Sequence, residues 1–589
     1  MGGKYKPADI VQMNRKRWPE VSAKSKIIGR NFKLSACEEQ ETLMHAFRYS
    51  TLLVLGFILV GAHSAADDID RGHVLSPDGT PGTIILAGGR SIPAAVADIL
   101  KEEVAGGSVV VLAHAAEDRD QAVSSSEQWL HQLGISSVVV APYSGDRDAF
   151  QSQTLGAIRQ AQGVWIIGGQ QTRLAEAFSG CAIESELQQL LARGGIVGGT
   201  SAGAAILSKV MIASGMTEPD ISVGWDVVAD CIIDQHFTER QRESRLKLAV
   251  QKTPCVFGLG VDEDTAAVIR GRQMRVVGRG AVSVVFRATA LREGLVSRIE
   301  SGDVADVTQL RRAALSRSTE RVEQFAEPVI PRVEQGSLVI VGGGGLPDEI
   351  VHRFVNLAGG RKARIVVLPT AVSRDETSVE IPGFFKGADV ERVTVLPQRG
   401  LEISSDEFQS AMKEATAVWF GGGRQWHFVD AYEGTGAVEL FRDVLRRGGV
   451  IGGSSAGATI QGEFLVRGHP LGNTVMMAEG YEQGFAFFPG TAIDQHFSQR
   501  RRQPDLIPVI QRYPGLLGIG IDESTAIVVS GCNVEVVGDH AAHFLTTRSA
   551  ALPQAADQAD SRDLSLTPNH YRTVQSGERL DLSDLFGSK

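Results

Sequence analysis

The feature that most constrains this chain is a long internal repeat. Ser201 and Ser455 stand 254 positions apart within the matching stretches Gly-Gly-Thr-Ser-Ala-Gly-Ala and Gly-Gly-Ser-Ser-Ala-Gly-Ala. The same spacing relates Trp165 to Trp419, each in an apolar run that ends in glycines. Each copy spans roughly 205 residues, which is enough for a hydrophobic core of its own. The sequence therefore predicts one domain architecture that occurs twice.

The spacing between the copies changes after the repeated serine motif. His236 matches His496 and Glu263 matches Glu523, and both of these pairs are 260 positions apart. The second copy therefore contains six extra residues between its serine and its histidine. We expect them in the region 467–484.

The order of apolar and amphipathic segments predicts the fold of each copy. Short buried runs alternate with helix-like stretches, a pattern typical of α/β domains with a mostly parallel sheet flanked by helices. The copies are placed at 82–286 and 336–547. The charged segment 287–335 is interpreted as a linker with surface helices, including Asp306–Leu315, and 548–589 as an irregular tail.

The N-terminal region contains a predicted secretory signal. Residues 44–66 combine basic side chains, the apolar run Leu52–Val60 and a small-residue segment, and the run is short for a membrane span. The preferred hypothesis is that translation starts at Met44 and that 1–43 are non-native. The alternative is a signal anchor with a basic cytoplasmic tail. The first reading predicts an exported protein, either periplasmic or extracellular, without stable membrane association after signal cleavage.

Charge and cysteine usage exclude several classes of function. The formal net charge of −10 argues against nucleic acid as a partner. The five cysteines show no Cys-x-x-Cys spacing and no His-Glu-x-x-His motif is present. We therefore expect no metal, no cofactor and no disulfide framework, although one or two disulfides remain open.

The repeated serines lie in a pattern that suits a nucleophile. In Gly-x-Ser-x-Gly a serine follows a buried strand at a tight turn, and the next helix offers N–H groups to a developing oxyanion. Glycine-rich strand-to-helix turns also arise for packing alone. The repetition of the motif with equally placed surroundings favours the catalytic interpretation.

Each copy also supplies a base and an acid for its serine. A serine hydroxyl needs a base to accept its proton, and the base needs a third group that orients its ring. A lone histidine is more often structural, but here histidine and acid recur together, 27 positions apart in both copies. Chemistry alone does not choose between Asp262 and Glu263 as the orienting acid. The predicted catalytic residues are Ser201, His236 and Glu263 in the first copy and Ser455, His496 and Glu523 in the second.

Three separated motifs in each copy resemble a known family. Residues 234–246 (Asp-Gln-His-Phe-Thr-Glu-Arg-Gln-Arg-Glu-Ser-Arg-Leu) and 258–266 (Gly-Leu-Gly-Val-Asp-Glu-Asp-Thr-Ala) accompany the serine motif, and 494–502 and 518–526 repeat them. Together they resemble cyanophycinase, in the serine peptidase family that also holds peptidase E. The resemblance implies a class-I-glutamine-amidotransferase-like α/β fold and a Ser-His-Glu triad. It also implies a substrate, cyanophycin, whose poly-aspartate backbone bears arginine on its side chains.

The resemblance further implies a substrate pocket in each copy. Arginines after the histidine would bind carboxylates of an aspartate-rich ligand, whereas the alternative is a solvated helix face. Asp505 stands where the first copy has Arg245, so we expect it to repel a substrate carboxylate. The predicted pocket residues are Gln171, Asp234, Gln235, Arg240, Arg242 and Arg245, and in the second copy Gln425, Asp494, Gln495, Arg500 and Arg502.

The sequence thus predicts an exported tandem serine hydrolase that cuts cyanophycin to β-Asp-Arg dipeptides. One alternative is a secreted peptidase of the same chemistry that acts on other aspartyl peptides. Another is a pair in which one copy is silent and only binds polymer. Because the family enzymes resemble dimers, the two copies are also expected to form an internal pseudo-dimer.

Overall fold

The computed structural model describes residues 77–319, 325, 328–547 and 570–587. The predictions for 1–43 and 44–66 fall outside these ranges. Within them, no helix combines the length and the apolar character that a membrane span requires. Four cysteines lie in the described ranges and all four are free thiols: Cys181, Cys231, Cys255 and Cys532.

The first domain, residues 77–319, is built on two sheets and a hairpin. Its strands are β1 (Thr80–Ala87), β2 (Ser108–Leu112), β3 (Ser137–Val140), β4 (Gly163–Ile166), β5 (Ile196–Thr200), β6 (Val210–Ser214), β7 (Asp220–Val223), β8 (Cys231–Gln235), β9 (Phe257–Val261), β10 (Thr265–Gly271), β11 (Gln273–Gly278), β12 (Ala281–Phe286), β13 (Leu295–Glu300) and β14 (Val304–Asp306). The large sheet has the order β14-β11-β10-β1-β5-β4-β2-β3, and the small one has the order β13-β12-β9-β8.

Helices connect the parallel strands of this domain. They are α1 (Ala94–Glu103), α2 (Arg119–Gln132), α3 (Arg147–Gln160), α4 (Gln171–Phe178), α5 (Ile183–Ala192), α6 (Ala202–Ala205), α7 (Glu243–Lys252) and α8 (Val307–Thr319). Aspartates begin α2 and α3: the side chains of Asp118 and Asp146 accept the N–H groups of Gln121 and Ala149, because these donors lack a partner within the helix.

The second domain, residues 328–547 and 570–587, repeats this plan. Its strands are β15 (Val333–Val341), β16 (Arg364–Leu368), β17 (Arg392–Val395), β18 (Ala417–Phe420), β19 (Val450–Ser454), β20 (Gly462–Phe464), β21 (Phe488–Gln495), β22 (Leu517–Ile521), β23 (Thr525–Gly531), β24 (Asn533–Gly538), β25 (Ala541–Leu545), β26 (Arg572–Gln575) and β27 (Arg579–Asp581). Its helices are α9 (Asp348–Leu357), α10 (Asp406–Glu414), α11 (Gln425–Tyr432), α12 (Ala437–Arg446), α13 (Ala456–Thr459), α14 (Ile507–Arg512) and α15 (Ser583–Phe586), with 3-10 turns at Gly360–Lys362, Gly383–Phe385 and Gly400–Ser404.

The sheet order confirms the predicted fold class. The large sheet of the second domain has the order β17-β16-β18-β19-β15-β23-β24-β27, and its first five strands pair in parallel. Both faces of such strands are covered, so each strand is a near-continuous apolar run: Ile85, Leu86 and Ala87 at the end of β1 are all fully buried. The chain therefore contains two α/β domains with mostly parallel sheets.

The structure corrects the interpretation of 287–335 as a linker for residues 295–319, and that of 548–589 as an irregular tail for residues 570–587. The helix expected at Asp306–Leu315 is present as α8 (Val307–Thr319). Residues 295–319 belong to the first domain, because β13 pairs with β12 and β14 pairs with β11. Residues 570–587 belong to the second domain, because β26 pairs with β25 and β27 pairs with β24. A short repeat in the sequence indicates that these two segments are equivalent: Ser-Gly-Asp-Val-Ala-Asp at 301–306 and Ser-Gly-Glu-Arg-Leu-Asp at 576–581. Its two copies are 275 positions apart, which differs from the spacing of the main motifs.

Arginines of the first domain join it to the second. Arg272 donates to Asp430 at 2.8 Å and to the Tyr481 hydroxyl at 2.8 Å, and its guanidinium carbon lies 4.2 Å from the Trp426 ring centroid. Arg292 donates to Glu482 at 2.7 Å. Half-buried charge pairs with planar guanidinium groups are geometrically specific, so they hold the domains in one arrangement.

The contacts between the domains differ from those expected of a pseudo-dimer. A two-fold pair would bring the same surface of both domains into contact. Here the β14–α8 region of the first domain meets α11 and residues 479–482 of the second. The equivalents of these surfaces are α15 and α4, and no described hydrogen bond or ion pair joins them. These described contacts do not use the same surface of both domains, and the internal pseudo-dimer stays a prediction.

Candidate active sites

The end of the central strand β1 positions all three predicted catalytic segments. Successive carbonyls of Ala87, Gly88 and Gly89 accept the N–H groups of Ser201 at 2.9 Å, His236 at 2.9 Å and Asp264 at 3.1 Å. In the second domain, Val341, Gly342 and Gly343 accept Ser455, His496 and Ser524 at 3.1, 2.8 and 2.8 Å. Parallel strands bring their carboxyl ends to one edge, so residues far apart in the chain meet there.

Each predicted catalytic set is a continuous hydrogen-bonded chain. Ser201 Oγ lies 2.9 Å from His236 Nε2, and His236 Nδ1 lies 2.7 Å from Glu263 Oε1. The second domain has Ser455, His496 and Glu523 in the same order, with 3.0 Å and 2.5 Å for the two distances. A serine, an imidazole and a carboxylate in this contact have the geometry for nucleophilic attack with proton transfer.

The backbone at each serine is strained in the same way. Ser201 has φ 51° and ψ −115°, and Ser455 has φ 56° and ψ −110°, which are sparsely populated values for a residue with a side chain. The adjacent glycine is required for the turn: a β-carbon at Gly203 would lie 2.2 Å from the Ile166 carbonyl oxygen. The strain exposes the hydroxyl above the sheet edge, as in a nucleophile elbow.

The structure decides between the two acids that follow β9. Glu263 binds the histidine, whereas Asp262 is 3% exposed and accepts the N–H groups of Thr238 at 3.1 Å and Ala281 at 3.0 Å. Asp262 therefore fastens the loop after the histidine to the small sheet, and Glu263 is left to face the imidazole. The side chain that fixes the loop and the one that touches the histidine are neighbours, which explains why spacing could not separate them.

The histidines are held in their neutral form. Burial lowers the pKa of His236 below its ordinary value, the hydrogen bond to Glu263 opposes that change, and the positive charge of Arg240 adds to it. His496 has its pKa lowered by burial too, with Glu523 opposing and Arg500 adding. A neutral imidazole can accept the serine proton, so both sites are suited to work as general bases near neutral pH.

The lowered pKa gives a testable pH dependence. Protonated His236 cannot accept the Ser201 proton, so activity is expected to fall as the pH drops through the pKa of this group. Because that pKa is lowered, the midpoint of the acid limb should lie below the ordinary histidine value of about 6.5. The measurement is kcat/KM against pH in a Ser455→Ala protein, where only the first site turns over. A midpoint at or above the ordinary value would contradict the assignment.

Gly89, shortly after β1, and Gly343, shortly after β15, leave room for the histidine rings. A β-carbon at Gly89 would lie 2.3 Å from His236 Cε1, and one at Gly343 would lie 2.4 Å from His496 Cε1. Both glycines also have positive φ, 113° and 94°. The sequence alone gave these two glycines no role in the site, because glycine has no side chain that would indicate one.

Gly89→Ala is expected to lower kcat at the first site by about 10²-fold, because a histidine displaced by about 1 Å no longer meets the serine. The measurement is steady-state turnover in the Ser455→Ala background. Gly134→Ala is the matched control, since Gly134 has φ 85° and no atom near its would-be β-carbon. Equal turnover of Gly89→Ala and Gly134→Ala would show that the contact with the ring does not matter.

Backbone N–H groups without a described partner adjoin Ser201. A β-carbon at Gly168 would lie 3.2 Å from Ser201 Cβ, so this peptide adjoins the hydroxyl. Among the described hydrogen bonds, none uses the N–H of Gly168, Gly169 or Ala202, the residue after the serine. Two such donors beside a nucleophile can bind the oxyanion of a tetrahedral intermediate.

The pocket residues of the first domain form a buried charge network. Asp234 is 1% exposed and accepts from Arg245 Nε at 2.9 Å and from Arg242 Nη1 at 3.2 Å. Arg242 Nη1 also donates to the Gln235 side chain at 2.8 Å, and Arg245 Nη1 to the Gly215 carbonyl at 3.0 Å. These arginines therefore have a protein carboxylate as partner in the structure, and their contact with carboxylates of a substrate stays a prediction.

The second domain builds the same network with a different arginine. Arg502 donates to Asp494 at 3.2 Å and to the Gln495 side chain at 3.0 Å. Arg467 donates to Asp494 at 2.9 and 2.8 Å and to Asp505 at 2.6 Å. Asp505 thus has a cationic partner within the protein, and its repulsion of a substrate carboxylate stays a prediction.

The remaining predicted pocket residues divide into two groups. Arg240 and Arg500 are exposed, each four residues after its histidine. Gln171 and Gln425 begin α4 and α11, where their amide nitrogens donate to backbone carbonyls at 2.7 Å and 2.8 Å. The exposed arginines are therefore the predicted cations that stay open to a ligand at each site.

A cavity of about 600 Å³ adjoins the second serine. Ser454 and Gly422 bring it next to Ser455, and Trp419, Phe384, Glu376 and Glu380 are among its other lining residues. It contains an apolar wall and acidic groups beside the same sheet edge.

Two glycines help to form this cavity. Gly344 and Gly345 stand where the first domain has Arg90 and Ser91, whose side chains bind Asp264. The chain after β16 is also largely irregular, whereas the chain after β2 forms α2. The two domains thus share their hydrogen-bonded centre and differ in the walls around it.

Comparison with known proteins gives consistent matches. The model of Peptidase family S51 matches residues 85–277 and 334–537, together more than half of the chain. A cyanophycinase of Synechococcus elongatus is 35% identical over 162 residues, which are 26% of this chain and 50% of that protein. A cyanophycinase of Geminocystis herdmanii is 30% identical over 213 residues, 35% of this chain and 78% of that protein.

The chain therefore spans about half the length of the first of these relatives. Among solved structures, a peptidase from an acI-B1 Actinobacterium aligns over 38% of this chain and 96% of its own length, with 20% identity and a TM-score of 0.32.

Proposed function

Because the chain belongs to peptidase family S51, we propose that both of its domains are serine-type peptidases. The observation that carries this proposal is the Ser-His-Glu chain of hydrogen bonds, present in both domains with distances of 2.5–3.0 Å. Neither site is missing a member. Nothing in the described residues therefore favours the alternative in which one domain only binds polymer.

The reaction follows from the positions of these groups. Ser201 Oγ attacks the scissile carbonyl while His236 Nε2 takes its proton, and Glu263 stabilises the imidazolium that forms. The N–H groups beside the serine hold the oxyanion. His236 then gives the proton to the leaving amine, and water releases the acyl group from the serine by the reverse steps. Ser455, His496 and Glu523 do the same in the second domain.

The proposed substrate is cyanophycin, cleaved to β-Asp-Arg dipeptides. Two relatives in the same family carry the name cyanophycinase. Arg240 and Arg500 are exposed beside the two sites and can bind free carboxylates of the polymer, which belong to its attached arginines and to the end of its backbone. Glu376 and Glu380 line the cavity beside the second site, where Lys386 also lies 3.4 Å from Glu380. These carboxylates suit the arginine side chains of the same polymer. Cyanophycin carries both carboxylate and guanidinium groups, so it suits a site that has both cationic and anionic side chains.

The test is incubation of the full chain with insoluble cyanophycin. Release of soluble β-Asp-Arg, measured by chromatography, is the expected result. Cleavage of aspartyl dipeptides without release from the polymer would instead support a peptidase of the same chemistry with another aspartyl substrate. A Ser201→Ala/Ser455→Ala protein is the control for hydrolysis by contaminants.

Export is a separate proposal that rests on the sequence of residues 44–66. A basic start, an apolar run and small residues are typical of a secretory signal. N-terminal sequencing of protein from the culture medium and periplasm is expected to give a start just after this segment. A mature start upstream of Met44 would rule out the hypothesis.

A further inference from the structure

The two domains hold the same buried aspartate with arginines from different places in the chain. In both, the glutamine that begins α4 or α11 donates to a pair of backbone carbonyls that are 254 positions apart between the copies. This shared contact aligns Ala213 with Arg467. Asp505 aligns with Arg245 by the later spacing of 260. At these two aligned positions the first domain therefore has Ala213 and Arg245. The second domain has Arg467 and Asp505 there.

The exchange keeps a cation on the aspartate. Arg245 approaches Asp234 with Nε at 2.9 Å. In the second domain Arg467 approaches Asp494 with Nε at 2.9 Å and Nη2 at 2.8 Å. Asp505, in the place of the lost arginine, accepts from Arg467 Nη2 at 2.6 Å. Its negative charge completes the site of the relocated arginine.

The burial of these groups makes the arginine necessary. Asp494 is 0% and Arg467 is 3% exposed. Arg502 reaches only Oδ1 of Asp494, at 3.2 Å, so removal of Arg467 would leave Oδ2 without its described partner, and a buried carboxylate oxygen without a partner is disfavoured. Asp494 also accepts the N–H of Gln495 at 3.0 Å. Gln495 is followed directly by His496, so the aspartate fixes the strand end from which the base and the pocket glutamine project.

We infer that Arg467 is the positioning residue of the second site and that Arg467 and Asp505 together replace Arg245. This inference rests on the proposed function of that site and adds to it a residue that the motifs do not contain. Arg467 acts through Asp494 on the orientation of Gln495 and the binding of substrate. Ser455, His496 and Glu523 make no hydrogen bond to it in the described residues.

The first test removes the charge of Arg467 in a Ser201→Ala protein, where only the second site turns over. Arg467→Met is expected to raise KM about 10–100-fold and to change kcat by less than about threefold, because a binding group is misplaced while the triad stays intact. The rate at which a fluorophosphonate labels Ser455 should stay within about twofold of the parent. Arg361→Met, at an exposed ion pair with Asp389, is the control and should leave KM unchanged.

The second test transplants the arrangement of the first domain. Arg467→Ala/Asp505→Arg places the residues of the first domain at both aligned positions and is expected to recover most of the lost kcat/KM. Asp505→Arg alone should not gain activity, because two guanidinium groups would then crowd Asp494. If Arg467→Met had lost activity only because the domain is less stable, the double variant would not be expected to regain kcat/KM.

An unchanged KM in Arg467→Met, or a double variant no better than Arg467→Met, would overturn the inference. Loss of Ser455 labelling together with activity would also overturn it, because Arg467 would then support the whole domain. Failure of the proposed function is distinguishable, since the Ser201→Ala parent itself would then leave cyanophycin intact. In that case, KM and kcat/KM of the variants are compared on the aspartyl dipeptide that the parent cleaves.

Discussion

Replacing both Ser201 and Ser455 by alanine is expected to lower kcat on cyanophycin by about 10⁴–10⁶-fold, the range for loss of a triad nucleophile. Each serine is the group that forms the covalent bond, and within the described part of the chain its histidine has no other hydroxyl in hydrogen-bond contact. The measurement is release of β-Asp-Arg by the double variant and by each single variant. Ser185→Ala, on the exposed surface of α5, is the control and should match the parent.

The single variants report on the two domains separately. Each should keep the activity of the intact site, so that the two residual rates together approach that of the parent. A Ser455→Ala protein with the full parental rate, combined with polymer binding by the second domain, would support a non-hydrolytic role for that domain. A double variant that retains parental turnover would contradict the proposed nucleophiles altogether.

Glu263→Gln is expected to lower kcat at the first site by about 10⁴-fold, the effect seen when the acid of a serine triad becomes an amide. The amide can donate to His236 Nδ1 and so favours the tautomer whose Nε2 carries a proton. That nitrogen can no longer accept the serine proton. The measurement is kcat in the Ser455→Ala background, with labelling of Ser201 by a fluorophosphonate as a second readout.

Asp262→Asn is the matched control for this prediction. The adjacent carboxylate binds Thr238, Ala281 and, at 3.2 Å, Arg298, and it does not touch the histidine. We expect Asp262→Asn to lower the midpoint of thermal unfolding and to leave kcat of the folded protein within about tenfold of the parent. The reverse result, with Asp262→Asn more damaging to kcat than Glu263→Gln, would exchange the roles of the two acids.

Much of the fold and of the candidate sites could be predicted because the information is local or repeated. Buried parallel strands need continuous apolar runs. The sequence therefore shows β1, β4 and β5 in the first copy and β15, β18 and β19 in the second as apolar segments. The serine turn needs glycines at fixed positions. The constant spacing from histidine to acid reflects one helix and one strand, α7 and β9, that lie between them.

Other features escaped because their signals are weak. The strands β13, β14, β26 and β27 are short and partly exposed edge strands, so they carry little hydrophobic pattern. The pocket arginines matched a known motif, but whether an arginine faces a ligand or a buried aspartate depends on the rest of the pocket. The expectation that Asp505 repels a substrate carboxylate rested on that ambiguity, whereas the hydrogen-bonded centres of the two sites are closely similar.

The sequence by itself determined the two α/β domains, the two Ser-His-acid sets and the family, because each depends on residue type at a spacing that the chain preserves. Only the tertiary structure decided that Glu263 rather than Asp262 meets the histidine, that Gly89 leaves space for its ring and that Arg467 takes over from Arg245. These depend on distances between segments brought together by strand order. A cation is needed at a point in space beside the buried aspartate, and different positions in the chain can supply it.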